Sequence, residues 1–200
     1  MRARVAANMW MRGEGDAAWP LLEDALRESR QLGSRIGECQ ALGFLVQKAY
    51  ADGDLTLAIE LALESAAIAH EVGWAWWEAG QLHSAAELER ESEHLDAAEG
   101  HAFRSLELSL GLGDRQHTLF AAAELAIIAA ARRDAQRAGR LWGAVETEVR
   151  AGRVGQWEKH HEEIEALVMC ADGPAFTHAC AEGRLLSIAH AAGLDPAPAG

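Results

Sequence analysis

The chain has 200 residues, 50 % hydrophobic and 24 % charged, a balance that allows one domain or one array of small units and excludes wholesale disorder. Forty-two alanines against 4 Pro, 1 Tyr and 4 Phe exclude a sheet protein and predict an all-α fold, since alanine is the best helix former. A formal charge of -13 repels phosphate, so no direct nucleic-acid contact by this segment is expected.

In chain order, residues 3–12 read as the second helix of a truncated first unit, ending at Gly13-Glu14-Gly15. The next helix starts near Asp16 to Ala18, because Pro20 is tolerated only in a first turn, and runs to Gly33. Further helices are expected at 35–51, 55–72, 75–91, 95–112, 115–132 and 135–150, then 156–171, a break at Asp172-Gly173-Pro174, and a last helix at 175–182. Residues 193–200 read as a loose tail.

An internal repeat runs through these helices. Gly33, Gly73 and Gly113 recur at a spacing of 40, each after an apolar residue, Leu32, Val72 or Leu112. The register carries Ala58, Ala98 and Ala138 into one column, and Leu45, Ala85 and Leu125 into another. Asp54, His94 and Asp134 share the position just ahead of a helix, which suits an N-cap. Two helices per period joined by short loops must be antiparallel and must stack to bury their apolar stripes. The expected architecture is a right-handed superhelical solenoid of antiparallel helix hairpins over residues 1–192, with units at 16–53, 54–93 and 94–133 and a divergent cap at 134–192.

Two segments carry a resemblance. They are Ala138-Gly139-Arg140-Leu141-Trp142-Gly143-Ala144-Val145-Glu146, and Ala175-Phe176-Thr177-His178-Ala179-Cys180-Ala181-Glu182-Gly183-Arg184-Leu185-Leu186. In order and spacing they resemble the C-terminal tetratricopeptide-like (TPR-like) region of bacterial LuxR-type and AfsR-like ATP-dependent (STAND) transcriptional regulators, with Cys180 where that family usually has Trp. The resemblance implies a sensor or scaffold arm. No G-x-x-x-x-G-K-[ST] is present, so no phosphate-cradling loop is expected in this segment.

No catalytic or cofactor-binding constellation stands out. Cys39 and Cys170 fall within apolar stripes where a thiol is inert, and Cys39, Cys170 and Cys180 match no metal-ligand spacing, which suits a reducing, cytoplasmic setting. A metal-dependent sensor or enzyme would have to use the His and Glu residues of 158–165 with His178, but His160 and His161 point about 100° apart on a helix, and a solvated face is the simpler reading. No stretch is long and apolar enough to span a membrane, and no export signal is evident.

The tryptophans are more specific. Trp74, Trp76 and Trp77 open one helix where the other units have no aromatic residue. Trp76 aligns with Ala79 and Leu82 and is expected in the core, whereas Trp74 and Trp77 are expected at the surface as partner anchors, with Glu71 and Glu78 beside them. Residues 54–99 hold 11 acids and one base, which suits a basic, partly apolar segment, while Arg133, Arg137 and Arg140 form a positive stripe. The expected function is a non-catalytic module that binds a protein, a peptide or a small effector. A purely structural self-association arm, a homo-oligomer, is the other reading.

Overall fold

The computed structural model describes residues 2–194, which form eleven α-helices and one 3-10 turn, with no strand among the described residues. The helices are α1 (Arg2–Met11), α2 (Gly15–Gln31), α3 (Arg35–Ala51), α4 (Leu55–Glu71), α5 (Ala75–Glu91), α6 (Leu95–Leu112), α7 (Arg115–Ala131), α8 (Ala135–Arg150), α9 (Trp157–Val168), α10 (Pro174–Gly183) and α11 (Ile188–Ala191). The fold is therefore all-α, with helix bounds close to those read from the sequence. The segment 156–171 resolves into α9 followed by a 3-10 turn at Met169–Ala171, and α11 lies where the sequence predicts no helix. Of the expected tail, residues 195–200 lie outside the described residues. The chain divides into two compact units between Ser92 and Glu93.

The turns follow a register of half the predicted period. Residues 13, 33, 53, 73, 93, 113 and 133 all have positive φ, so the helical unit recurs every 20 residues. Five of these are glycine, and Glu93 and Arg133 occupy the other two at φ 63 and 61. Gly13, Gly33, Gly53, Gly73, Gly113 and Arg133 each end a helix by donating their N–H three residues back while the successor donates five back, the Schellman pair that satisfies terminal carbonyls. Gly33 N–H reaches Arg30 C=O at 3.3 Å and Ser34 N–H reaches Ser29 C=O at 2.8 Å. The same pair recurs at Gly53–Asp54, Gly73–Trp74, Gly113–Asp114 and Arg133–Asp134. That successor also opens the next helix. Asp54, Asp114 and Asp134 accept first-turn N–H groups through their carboxylates, and Ser34 does so through its hydroxyl. Trp74 sits at the same position and supplies no side-chain cap.

A side chain in the left-handed region costs roughly 1–2 kcal/mol, partly offset because glycine gains freedom when the chain unfolds. Glu93→Gly and Arg133→Gly should each therefore raise stability by about 0.5–1 kcal/mol, read as a higher urea midpoint with an unchanged m-value.

In unit 1, Ala3, Ala6, Ala18, Leu22, Ala25, Ala41 and Leu45 form a cluster across α1–α3, and Val46, Ala49, Ala58, Ala62, Ala85 and Leu88 form another across α3–α5. Small residues at these positions let neighbouring helices approach closely. The column holding Ala25, Leu45, Ser65 and Ala85 is buried, whereas its α1 member, Val5, is 52 % exposed.

In unit 2, α7 is the most deeply buried helix, with Leu119, Leu125 and Ile128 fully enclosed. The two segments that carry the family resemblance pack directly on each other there, as α8 on α10. The contact depends on glycine at three positions. A Cβ at Gly139 would lie 2.4 Å from Phe176 carbonyl oxygen, at Gly143 2.1 Å from that of Cys180, and at Gly183 2.1 Å from that of Arg140. The rim is polar: Arg184 Nε donates to Glu146 Oε2 at 2.7 Å, and Thr147 Oγ1 donates to Arg184 C=O at 3.1 Å. The paired motifs thus have a packing role, two helices held close enough that only hydrogen fits between their backbones.

Candidate functional site

The tryptophan cluster forms where Gly73 ends α4 and Trp74 opens α5. Trp74 and Trp77 stack with ring centroids 4.9 Å apart and planes 24° apart, and Phe44 of α3 meets Trp77 edge-on at 5.6 Å. Both indoles lie against Cys39, Leu42, Ile68 and Ala69. Trp77 Nε1 donates to Ser65 Oγ at 2.9 Å, and that hydroxyl donates to Cys39 C=O at 2.8 Å. Cys39 Sγ donates back to Ser65 C=O at 3.3 Å, closing a buried polar knot. Gly43 makes room for the ring, since a Cβ there would sit 2.8 Å from it.

This arrangement reverses the exposure expected from the sequence. Trp74 and Trp77 are half-buried, and Trp76 is the exposed one at 47 %. The reason is helical direction: side chains lean toward the helix N-terminus, so a residue in the first turn overhangs the turn instead of reaching the core. Trp77, one step of 100° further round, leans over Trp74 and α3. The two acids are also engaged within the chain. Glu71 pairs with Arg35, and the buried Glu78 meets His70 Nδ1 at 3.1 Å.

Beside the cluster lies an ion-pair network that spans α2, α3 and α4. Arg30 binds Glu38 at 2.9 Å and Glu64 at 2.7 Å, and Arg35 binds Glu38 at 2.8 Å as well as Glu71. Burial pushes the Glu38 carboxyl up, but the hydrogen bonds from Arg30 and Arg35 outweigh it and hold the group below the ordinary carboxylate range. Its contribution to stability is therefore present above that range and lost as pH falls through the lowered value.

The network ties together two turns whose surfaces are apolar. The α2–α3 turn exposes Leu32 at 74 % and Ile36 at 55 %, and the α4–α5 turn exposes Val72 at 37 % together with Trp76. Register makes these pairs informative. The same two positions at the intervening turns hold Arg12 and Asp16, Asp52 and Thr56, Ser92 and Asp96, and Arg132 and Gln136, while the α6–α7 turn has the exposed Leu112 with Gln116. Backbone geometry at Gly33 and Gly73 matches that at Gly53 and Arg133, so folding does not ask for apolar residues at the first two and polar residues at the others. Sequence reasoning noticed Leu32, Val72 and Leu112 as neighbours of glycine but missed the alternation, whose signal is visible only at the 20-residue register.

Other expected groups lie as follows. Cys39 and Cys180 are buried, and burial pushes both thiols up, with Glu146 adding to it at Cys180. Cys170 is exposed, contrary to the stripe assigned to it, because the 3-10 turn rotates it off the helical face. His178 lies 3.4 Å from Glu182, and no three His, Cys, Asp or Glu side chains converge as a metal site among the described residues. In the basic stripe Arg137 pairs with Glu99, while Arg133 and Arg140 are exposed. No helix among the described residues is long and apolar enough to cross a membrane. Comparison with protein-family models, curated proteins and solved structures finds no match to this chain.

Proposed function

We propose that this chain is a non-catalytic, TPR-like binding module, a superhelical arm of the kind found in bacterial LuxR-type regulators, and that it holds a protein segment. The observation that carries this reading is the apolar edge formed by Leu32, Ile36, Val72 and Trp76, which the turns do not need for folding. Trp76 takes the anchoring part expected of Trp74 and Trp77, because an exposed indole on a rigid helix start offers large contact area at little entropic cost. The helices behind it are fixed by the Schellman turns and the ion-pair network, so the edge is presented preorganised.

A photo-cross-linking side chain placed at position 76 in producing cells should yield a protein adduct under ultraviolet light. Position 56, which occupies the same register in a polar turn, should not. Equal labelling at both positions, or none at 76, would remove the edge from consideration as a binding surface.

A further inference from the structure

We propose that α9 is a displaceable plug: it covers an apolar face of α7 that is built to receive a helix, and an amphipathic helix of a partner takes its place when α9 lifts away. This surface lies in unit 2 and uses none of the residues of the edge in unit 1. It appears first as a departure from register. Positions 120, 123, 127 and 130 follow one another at steps of three and four, so they share a helix face. On that face α3 has Gln40, Gly43, Gln47 and Tyr50, and α5 has Gly80, His83, Glu87 and Arg90. All of these except Gly43 are half-buried or exposed. In α7 the face is Phe120, Ala123, Ile127 and Ala130, the last three buried. Because α3 and α5 fold with polar residues there, the apolar set on α7 answers to what lies on it.

What lies on α7 is α9. Trp157 meets the Phe120 ring edge-on at 5.5 Å and His160 meets it at 6.2 Å. The 3-10 turn at the far end of α9, Met169–Ala171, touches α7 again, so α9 runs along the helix. Its hold is thin. Of its twelve residues only Trp157 and Val168 are buried, with His161 and Ile164 half-buried on the same stripe. The turn before it is fastened from α7, where Arg115 donates to Glu148 C=O at 2.9 Å and Gln116 Oε1 accepts from Gln156 N–H at 3.2 Å.

A buried donor supplies independent support. Trp142 is 4 % exposed, its ring lies 6.4 Å from that of Trp157, and its Nε1–H has no acceptor among the described residues. An N–H shut away without a partner carries a desolvation cost. Lifting Trp157 lets water, or a carbonyl of an incoming segment, relieve that cost, so the plugged state is raised in free energy beside the anchor of α9. An occupant must match α9, with an aromatic residue where Trp157 stands and aliphatic residues where Ile164 and Val168 stand.

Native-state hydrogen exchange of the full chain, together with a labelled synthetic peptide of residues 156–171, tests the idea. In the parent, α9 amides should exchange at least about tenfold faster than those of α8 and α10, as in a local opening. Trp157→Ala should speed α9 by roughly a further tenfold while α8 and α10 stay protected. That variant should also bind the peptide at least about tenfold more tightly than the parent, whose tethered α9 competes. A peptide carrying Trp157→Ala should not be bound. Should Trp157→Ala fail to fold in the full chain, Arg115→Ala, which only unfastens the preceding turn, is read by the same two measurements. Parent α9 amides as slow as those of α8 and α10 overturn the proposal, as does an opened chain that captures no peptide.

Discussion

Replacing Gly143 by valine should lower the stability of unit 2 by about 3 kcal/mol, at the upper end for an overpacked contact, because the obstacle is backbone and cannot rotate away. The Cβ alone would sit 2.1 Å from the Cys180 carbonyl oxygen and 2.9 Å from Arg184 nitrogen. Gly183→Ala meets the same obstruction from the other side, 2.1 Å from Arg140 oxygen. The informative control is Gly100→Ala in α6, where a Cβ meets nothing within 4 Å. That change should stabilise by about 0.5–1 kcal/mol, the usual gain for removing a glycine from a helix interior. Urea unfolding of the three variants measures opposite signs for the same chemistry. A Gly143→Val protein as stable as the parent would mean that α8 and α10 do not cross as described.

Trp77→Ala should cost about 3 kcal/mol, the lower part of the range for truncating a packed tryptophan, since the ring is half-buried. It would also remove the donor that Ser65 Oγ accepts and open space between α3 and α5 beside Gly43. Trp76→Ala, one residue away, should shift stability by no more than about 0.5 kcal/mol, as for an exposed site. Thermal melts of the two variants decide which indole is structural. Similar losses in both would contradict the arrangement at the start of α5.

The helices were legible because glycine, aspartate and alanine each report local geometry. Gly33, Gly73 and Gly113 marked ends, Asp54 and Asp134 marked starts, and the alanine columns marked the buried stripe. Half of the period stayed hidden because Glu93 and Arg133 adopt a conformation for which glycine is the usual sign. The exposure of the tryptophans was misread because a repeating stripe assumes that every member lies beside a neighbouring helix, and Trp76 lies beyond the end of one. The close crossing of α8 and α10 left a visible trace, glycines four apart at 139 and 143, but their partner Gly183 is forty residues further on. No local pattern joins them. Nor could the pairing of Arg30 and Arg35 with Glu64 and Glu71 be seen, since it requires knowing which turns are neighbours in space.

Within each unit the main contacts join helices one to three places apart along the chain, from α1 with α2 and α3 in the first to α8 with α10 and α11 in the second. Contact order is accordingly low, so the chain closes only short loops before it gains burial, and folding should be fast for its size. Val5, exposed where Ala25, Leu45, Ser65 and Ala85 of its column are buried, leaves α1 with less packing than the helices behind it, so its ten residues can open as a partial step that leaves that column in place.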